Sequence, residues 1–103
     1  MNIWAADKTD DIKTMLINLA SELEHGQFCI DLSDQWVKTG VYISRKDAPD
    51  LRAYVYTTGQ DAKCFGIDLE YPSQNNPNNL LQSHENVTYA FLKDVLCTHL
   101  NLT

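Results

Sequence analysis

The chain has 103 residues, with fourteen Asp and Glu against eight Lys and Arg for a formal net charge of −6. Domains run about 100–150 residues, so the whole chain, 1–103, is read as a single domain around one core. Hydrophobic residues at 44 % and charged residues at 21 % are ordinary for a folded domain, and the acidic balance argues against nucleic acid or an anionic membrane as a direct partner, since both need clustered cations.

No apolar run reaches the roughly 18 residues of a membrane-spanning helix. The start, Met1 to Asp7, lacks the basic region and apolar stretch of a signal peptide. Cys29, Cys64 and Cys97 are odd in number and widely spaced, which does not suggest a disulfide framework. A reducing cytoplasm is the simplest setting for such a chain. Asn86-Val87-Thr88 and Asn101-Leu102-Thr103 match the glycosylation acceptor pattern, a three-residue match that arises easily by chance.

In chain order, the first element is a helix between Asp7 and Gly26. Ile12, Met15, Leu16, Leu19 and Leu23 make one apolar stripe at helical spacing. Thr9 or Asp7 caps its start, Asp10 and Asp11 suit the positive end of its dipole, and Gly26 is a stop signal. Four alternating segments follow. Phe28, Ile30 and Leu32 alternate with Cys29, Asp31 and Ser33. Val37, Val41 and Ile43 alternate with Trp36, Lys38, Gly40 and Tyr42. Leu51, Ala53 and Val55 alternate with Arg52, Tyr54 and Tyr56. Phe65, Ile67 and Leu69 alternate with Cys64, Gly66, Asp68 and Glu70. Period-two alternation marks strands with one buried face, and the short turn-rich links favour an antiparallel meander. Pro72 to Asn86 is polar and amide-rich and reads as a long loop, either plain surface or functional, with Leu80 and Leu81 pinning it to the core.

The last segment, about Ser83 to Leu100, is expected to be helical. Val87, Phe91, Leu92, Val95, Leu96 and Leu100 cover a wide arc, as in a helix packed deeply or against two surfaces. The expected architecture is α+β, a four-stranded antiparallel meander sheet flanked by an N-terminal and a C-terminal helix (α-β-β-β-β-α).

The strand face opposite this core carries Asp31, Trp36, Lys38, Tyr42, Arg52, Tyr54, Tyr56, Asp68 and Glu70, aromatic and acidic together. Aromatic residues are enriched at protein interfaces, and carboxylates around them steer a cationic partner. Three readings of this face stay open: a second-layer core covered by the C-terminal helix, a free binding face, or a homodimer seam.

Chemistry is harder to find. Cys97 and His99 are two apart on a helix and point to different sides, Cys97 on the polar side and His99 within the apolar arc. His99 reads as a helix-end or core histidine. No C-x-x-C or H-E-x-x-H spacing and no Gly-rich phosphate loop occurs. Asp10-Asp11 reads as a helix start. Asp68-x-Glu70 puts two acids on one strand face, able to serve acid–base chemistry but also a solvated or partner-facing strand. The expectation is a binding protein and not an enzyme, with no catalytic residues, no cofactor and no metal.

In size, acidity, leaderless α+β build and an acidic aromatic strand face, the chain resembles the small acidic immunity proteins that bacteria make against their own toxins, including those of contact-dependent growth inhibition systems. The resemblance implies a cytoplasmic protein that binds a cognate, basic toxin domain, often a nuclease, and blocks its active site. Under it, Asp31, Asp68 and Glu70 mimic phosphate charge, Trp36, Tyr54 and Tyr56 are anchors, and Tyr42 completes the partner-binding set. The turn Asp47 to Asp50 and the loop Asn75 to Asn79 could add contacts. A monomer is expected rather than a homodimer. The alternatives are a small acidic secretion chaperone, which would be dimeric, and an accessory subunit of a larger complex.

Overall fold

The computed structural model describes residues 3, 7–23, 26–31, 38–70 and 80–102. Among them the chain forms α1 (Asp10–Glu22), β1 (Phe28–Asp31), β2 (Gly40–Arg45), β3 (Ala48–Tyr56), β4 (Phe65–Glu70), β5 (Leu80–Val87) and α2 (Tyr89–Leu100). The α+β class holds. The strands form one antiparallel meander in the order β1-β2-β3-β4-β5.

The sheet has five strands, not four. Leu80–Val87, expected as the end of a loop and the start of the last helix, pairs with β4 from Glu70↔Leu80 to Phe65↔Val87. The physical reason is that β4 is apolar and buried, and its outer row of amides and carbonyls needs partners. The helix starts only after Thr88, whose hydroxyl accepts the Phe91 N–H at 3.3 Å. Just before it Asn86 turns the chain at φ 53°, its side chain accepting the Asp61 N–H at 2.8 Å. The Arg45–Asp50 link is also tighter than its composition implies, because β3 begins at Ala48. Leu32, Trp36, Val37 and the Asn75–Asn79 loop lie outside the described residues.

At the other end, Thr9 is the N-cap of α1 with extended backbone. Its hydroxyl donates to the Asp11 carboxylate, which also accepts the Ile12 N–H at 2.8 Å. Asp10 and Asp11 thus sit on the positive end of the dipole, as expected.

Both helices lie on one face of the sheet. Ile12, Met15, Leu16, Leu19 and Leu23 from α1 and its end, Leu92, Leu96 and Leu100 from α2, and Val41, Ile43, Ala53, Val55, Phe65, Ile67 and Leu69 from the strands form one buried core. The end of α1 is also tied to the start of α2, as Glu22 accepts the Tyr89 hydroxyl at 2.9 Å and pairs with Lys93 at 2.9 Å. The wide arc of α2 does not reflect two buried surfaces. Leu92, Leu96 and Leu100 make one i, i+4, i+8 stripe, while Phe91 stays 46 % exposed with its ring edge-on to His84 at 5.4 Å.

Candidate functional site: the outer face of the sheet

With both helices on the core face, neither covers the opposite one among the described residues. The register places that face's side chains in rows across the strands. One row runs Asp31–Tyr42–Tyr54–Asp68–Ser83, one residue from each strand. Its neighbour runs Cys29–Ser44–Arg52–Glu70, and on the other side Tyr56 sits between Gly40 and Gly66. Six residues expected on this face, Asp31, Tyr42, Tyr54, Tyr56, Asp68 and Glu70, are therefore brought together. Trp36, also expected there, lies outside the described residues.

The three tyrosines form a ladder. The Tyr42 and Tyr54 ring centres are 4.9 Å apart and tilted by 47°, and those of Tyr54 and Tyr56 are 5.8 Å apart and close to parallel at 23°. Both spacings fall in the range where aromatic pairs attract beyond their buried area. Two glycines make room for the ladder. A Cβ on Gly40 would stand 2.0 Å from the Tyr54 hydroxyl oxygen, and one on Gly66 would stand 2.2 Å from Cζ of Tyr56. Neither glycine has a positive φ, so these positions use the missing side chain, not the freer backbone. The rings lie on glycine backbone, a device that offsets the weakness of glycine in a strand.

The carboxylates differ in how they are matched. Glu70 is held by Arg52, whose Nε is 2.9 Å from Oε1, and the Arg52 guanidinium lies 4.2 Å above the centre of the Tyr42 ring. Asp68 accepts the Ser83 hydroxyl at 2.8 Å. Glu85, on β5, is exposed beyond Ser83. Half-burial pushes the Tyr42 phenol above its usual range, reinforced by the Glu70 carboxylate and opposed by Arg52. Tyr56 is raised first by burial and then by Asp68 and Glu85. Both phenols are neutral donors at physiological pH; Tyr56 has carboxylates near it, while Tyr42 has both Glu70 and the Arg52 guanidinium beside it.

Sequence reasoning named Arg52 on this face without seeing its role, which depends on a diagonal contact across strands. Glu85 escaped it because its segment reads as loop and helix. The glycines were signalled by their strand positions, where glycine is otherwise depleted.

The residues considered for chemistry sit elsewhere. A cleft of about 530 Å³ between β5 and α2 is lined by Leu69, Gln82, His84, Asp94, Val95, Thr98 and His99. His99 Nε2 is 3.0 Å from the Arg52 carbonyl and 2.9 Å from that of Glu70. Carbonyls only accept, so this nitrogen carries the proton and ties α2 to β3 and β4. Cys97 does not line the cleft, and burial raises its thiol above the usual range, which lowers the thiolate fraction. Cys29 is exposed on β1, and Cys64 precedes β4 instead of lying within a strand.

No family model matches this chain, and neither the curated proteins nor the solved structures compared with it give a match.

Proposed function

We propose that the chain is a binding protein, an immunity protein that neutralises a basic toxin domain by docking its outer sheet face on that domain. The observation that carries the reading is a tyrosine ladder bordered by carboxylates on a sheet face that neither helix covers. Tyrosines give large, stiff, amphipathic contact area at low entropic cost, and the carboxylates match a cationic surface. A nuclease is the proposed class of toxin. Its nucleic-acid site is the kind of basic surface that Asp31, Asp68, Glu70 and Glu85 complement, with carboxylates taking the places of phosphates. The three free cysteines fit a reducing compartment, so the proposal places the protein in the cytoplasm, as a monomer until its partner binds.

The test begins with capture from the native cell on the tagged chain. The recovered domain is then purified and its activity measured with and without this protein. The expected result is a one-to-one complex that loses activity, with affinity falling by about a hundredfold when Tyr54→Ala and Asp68→Asn are combined, as for loss of a hot spot. A partner bound equally well by that variant would place the interface elsewhere. A stable homodimer burying the tyrosines would reassign the face to self-association.

A further inference from the structure

The outer face contains one completed cation site, built entirely from the chain's own residues. Arg52 lies 4.2 Å over the Tyr42 ring, and its Nε meets Glu70 Oε1 at 2.9 Å. A tyrosine ring below and a carboxylate at the side satisfy a guanidinium through its face and its N–H edge together. A similar set of parts recurs beside it. Tyr56 lies over Gly66 and is half-exposed. Asp68 stands on the neighbouring strand, one step along from Gly66 in the register, held by Ser83 at 2.8 Å. Glu85 lies on β5 between the His84↔Ile67 and Val87↔Phe65 pairs, and so beside Gly66, on the same side of the strand as Ser83. The ion pairs among the described residues are Lys38–Asp7, Arg45–Asp47, Arg52–Glu70 and Lys93–Glu22, and none involves Asp68 or Glu85.

We infer that the Tyr56 ring with Asp68 and Glu85 forms a second guanidinium site, and that an arginine side chain of the partner occupies it. This rests on the docking reading and adds the chemistry of one central contact. Arginine is chosen over lysine because the completed site beside it uses the flat, forked group on the ring. Lysine offers a compact charge without a stacking face. The two carboxylates also exceed what one neutral ligand would match, so the occupant is cationic.

The experiment uses the intact chain and three small probes, N-acetyl-arginine methylamide, its neutral isostere N-acetyl-citrulline methylamide, and the lysine analogue Nα-acetyl-lysine methylamide. Aromatic carbon–proton shifts of Tyr42, Tyr54 and Tyr56 are followed by NMR during titration. A saturable shift centred on Tyr56 with the arginine probe is expected. Binding should weaken by about tenfold with the citrulline probe and by a similar factor in Asp68→Asn/Glu85→Gln. Glu85→Gln alone, a change of one exposed side chain, serves if the double variant folds poorly. An equal response to the arginine and citrulline probes, the lysine analogue binding as tightly as arginine, an arginine response indifferent to the carboxylates, or no saturable response would each overturn the site. The capture experiment separates this inference from its foundation. A basic partner that still requires Tyr54 while the arginine probe fails removes only the site. Probe binding without any such partner leaves the site and removes the docking reading.

Discussion

At the residue scale, the outer face depends on two atoms that are absent. A methyl group at Gly40 or Gly66 collides with the end of a tyrosine ring, at 2.0 Å and 2.2 Å respectively. The ring can swing away, but only by giving up its contact with the sheet and its place in the ladder. Gly40→Ala is therefore expected to destabilise by about 1–3 kcal/mol, the usual cost of overfilling a packed site. The cost should shrink when Tyr54 is already alanine, because the obstacle is gone. A double-mutant cycle by urea denaturation measures this coupling directly. If Gly40→Ala costs the same with and without Tyr54, the glycine serves the backbone and not the ring.

At the scale of elements, the boundary between β5 and α2 holds the clearest difference between pattern and structure. Leu80–Val87 contains Gln82, Ser83, His84, Glu85 and Asn86, which are poor strand formers, and what makes it a strand is its pairing with β4, which lies outside the segment. Meanwhile Val87 falls in phase with Phe91, so the helical periodicity runs backwards across Thr88. Only the cap chemistry separates them, since a threonine hydroxyl satisfies the first turn of the helix. Thr88→Ala is accordingly expected to cost about 1 kcal/mol and to fray the start of α2, seen as faster amide exchange at Ala90 to Leu92. By contrast, α1, the alternating strands and the acidic tyrosine face were legible, because each rests on a periodicity contained in a few consecutive residues. What no periodicity carries is which face the helices choose. That shows only in the assembled core, where Ile12, Leu16, Leu92 and Leu96 join Val55 and Ile67 in one buried cluster, a non-local arrangement.

The clasp between the helices gives a second prediction at this scale. Tyr89 is pushed well above the usual phenol range, by burial first and then by its hydrogen bond to Glu22, and Lys93 is raised by the same carboxylate. Tyr42 and Tyr56 are raised as well. Unfolded phenols titrate near 10 and unfolded lysines slightly higher, at about 10.4. Above those values the native state holds more protons than the unfolded state, so stability is fully present below about pH 10 and declines as pH rises through the native values. Denaturation midpoints measured from about pH 9 upward should fall, and Tyr89→Phe, which keeps the ring and removes the ionisable hydroxyl, should flatten the decline. An unchanged slope in that variant would mean that the alkaline loss comes from elsewhere in the molecule.

At the scale of the whole molecule, charge and shape would act at different stages of the proposed association. A net charge of −6 would be felt by a cationic domain of the proposed kind before contact, and at 0.1 M salt it is screened over about 10 Å. In the proposed docking the tyrosine ladder would act only after contact, because apolar contact is short-ranged. The two contributions therefore separate kinetically. Raising salt should lower the association rate steeply and leave dissociation nearly unchanged, and Asp68→Asn/Glu85→Gln should flatten that salt dependence. Tyr54→Ala should instead speed dissociation, with the salt slope of association unaltered. Surface-bound kinetics with the captured domain across a salt series reads both rates at once. If Tyr54→Ala altered the salt slope while the carboxylate variant altered only dissociation, steering by these carboxylates and anchoring by the tyrosines would have been assigned the wrong way round.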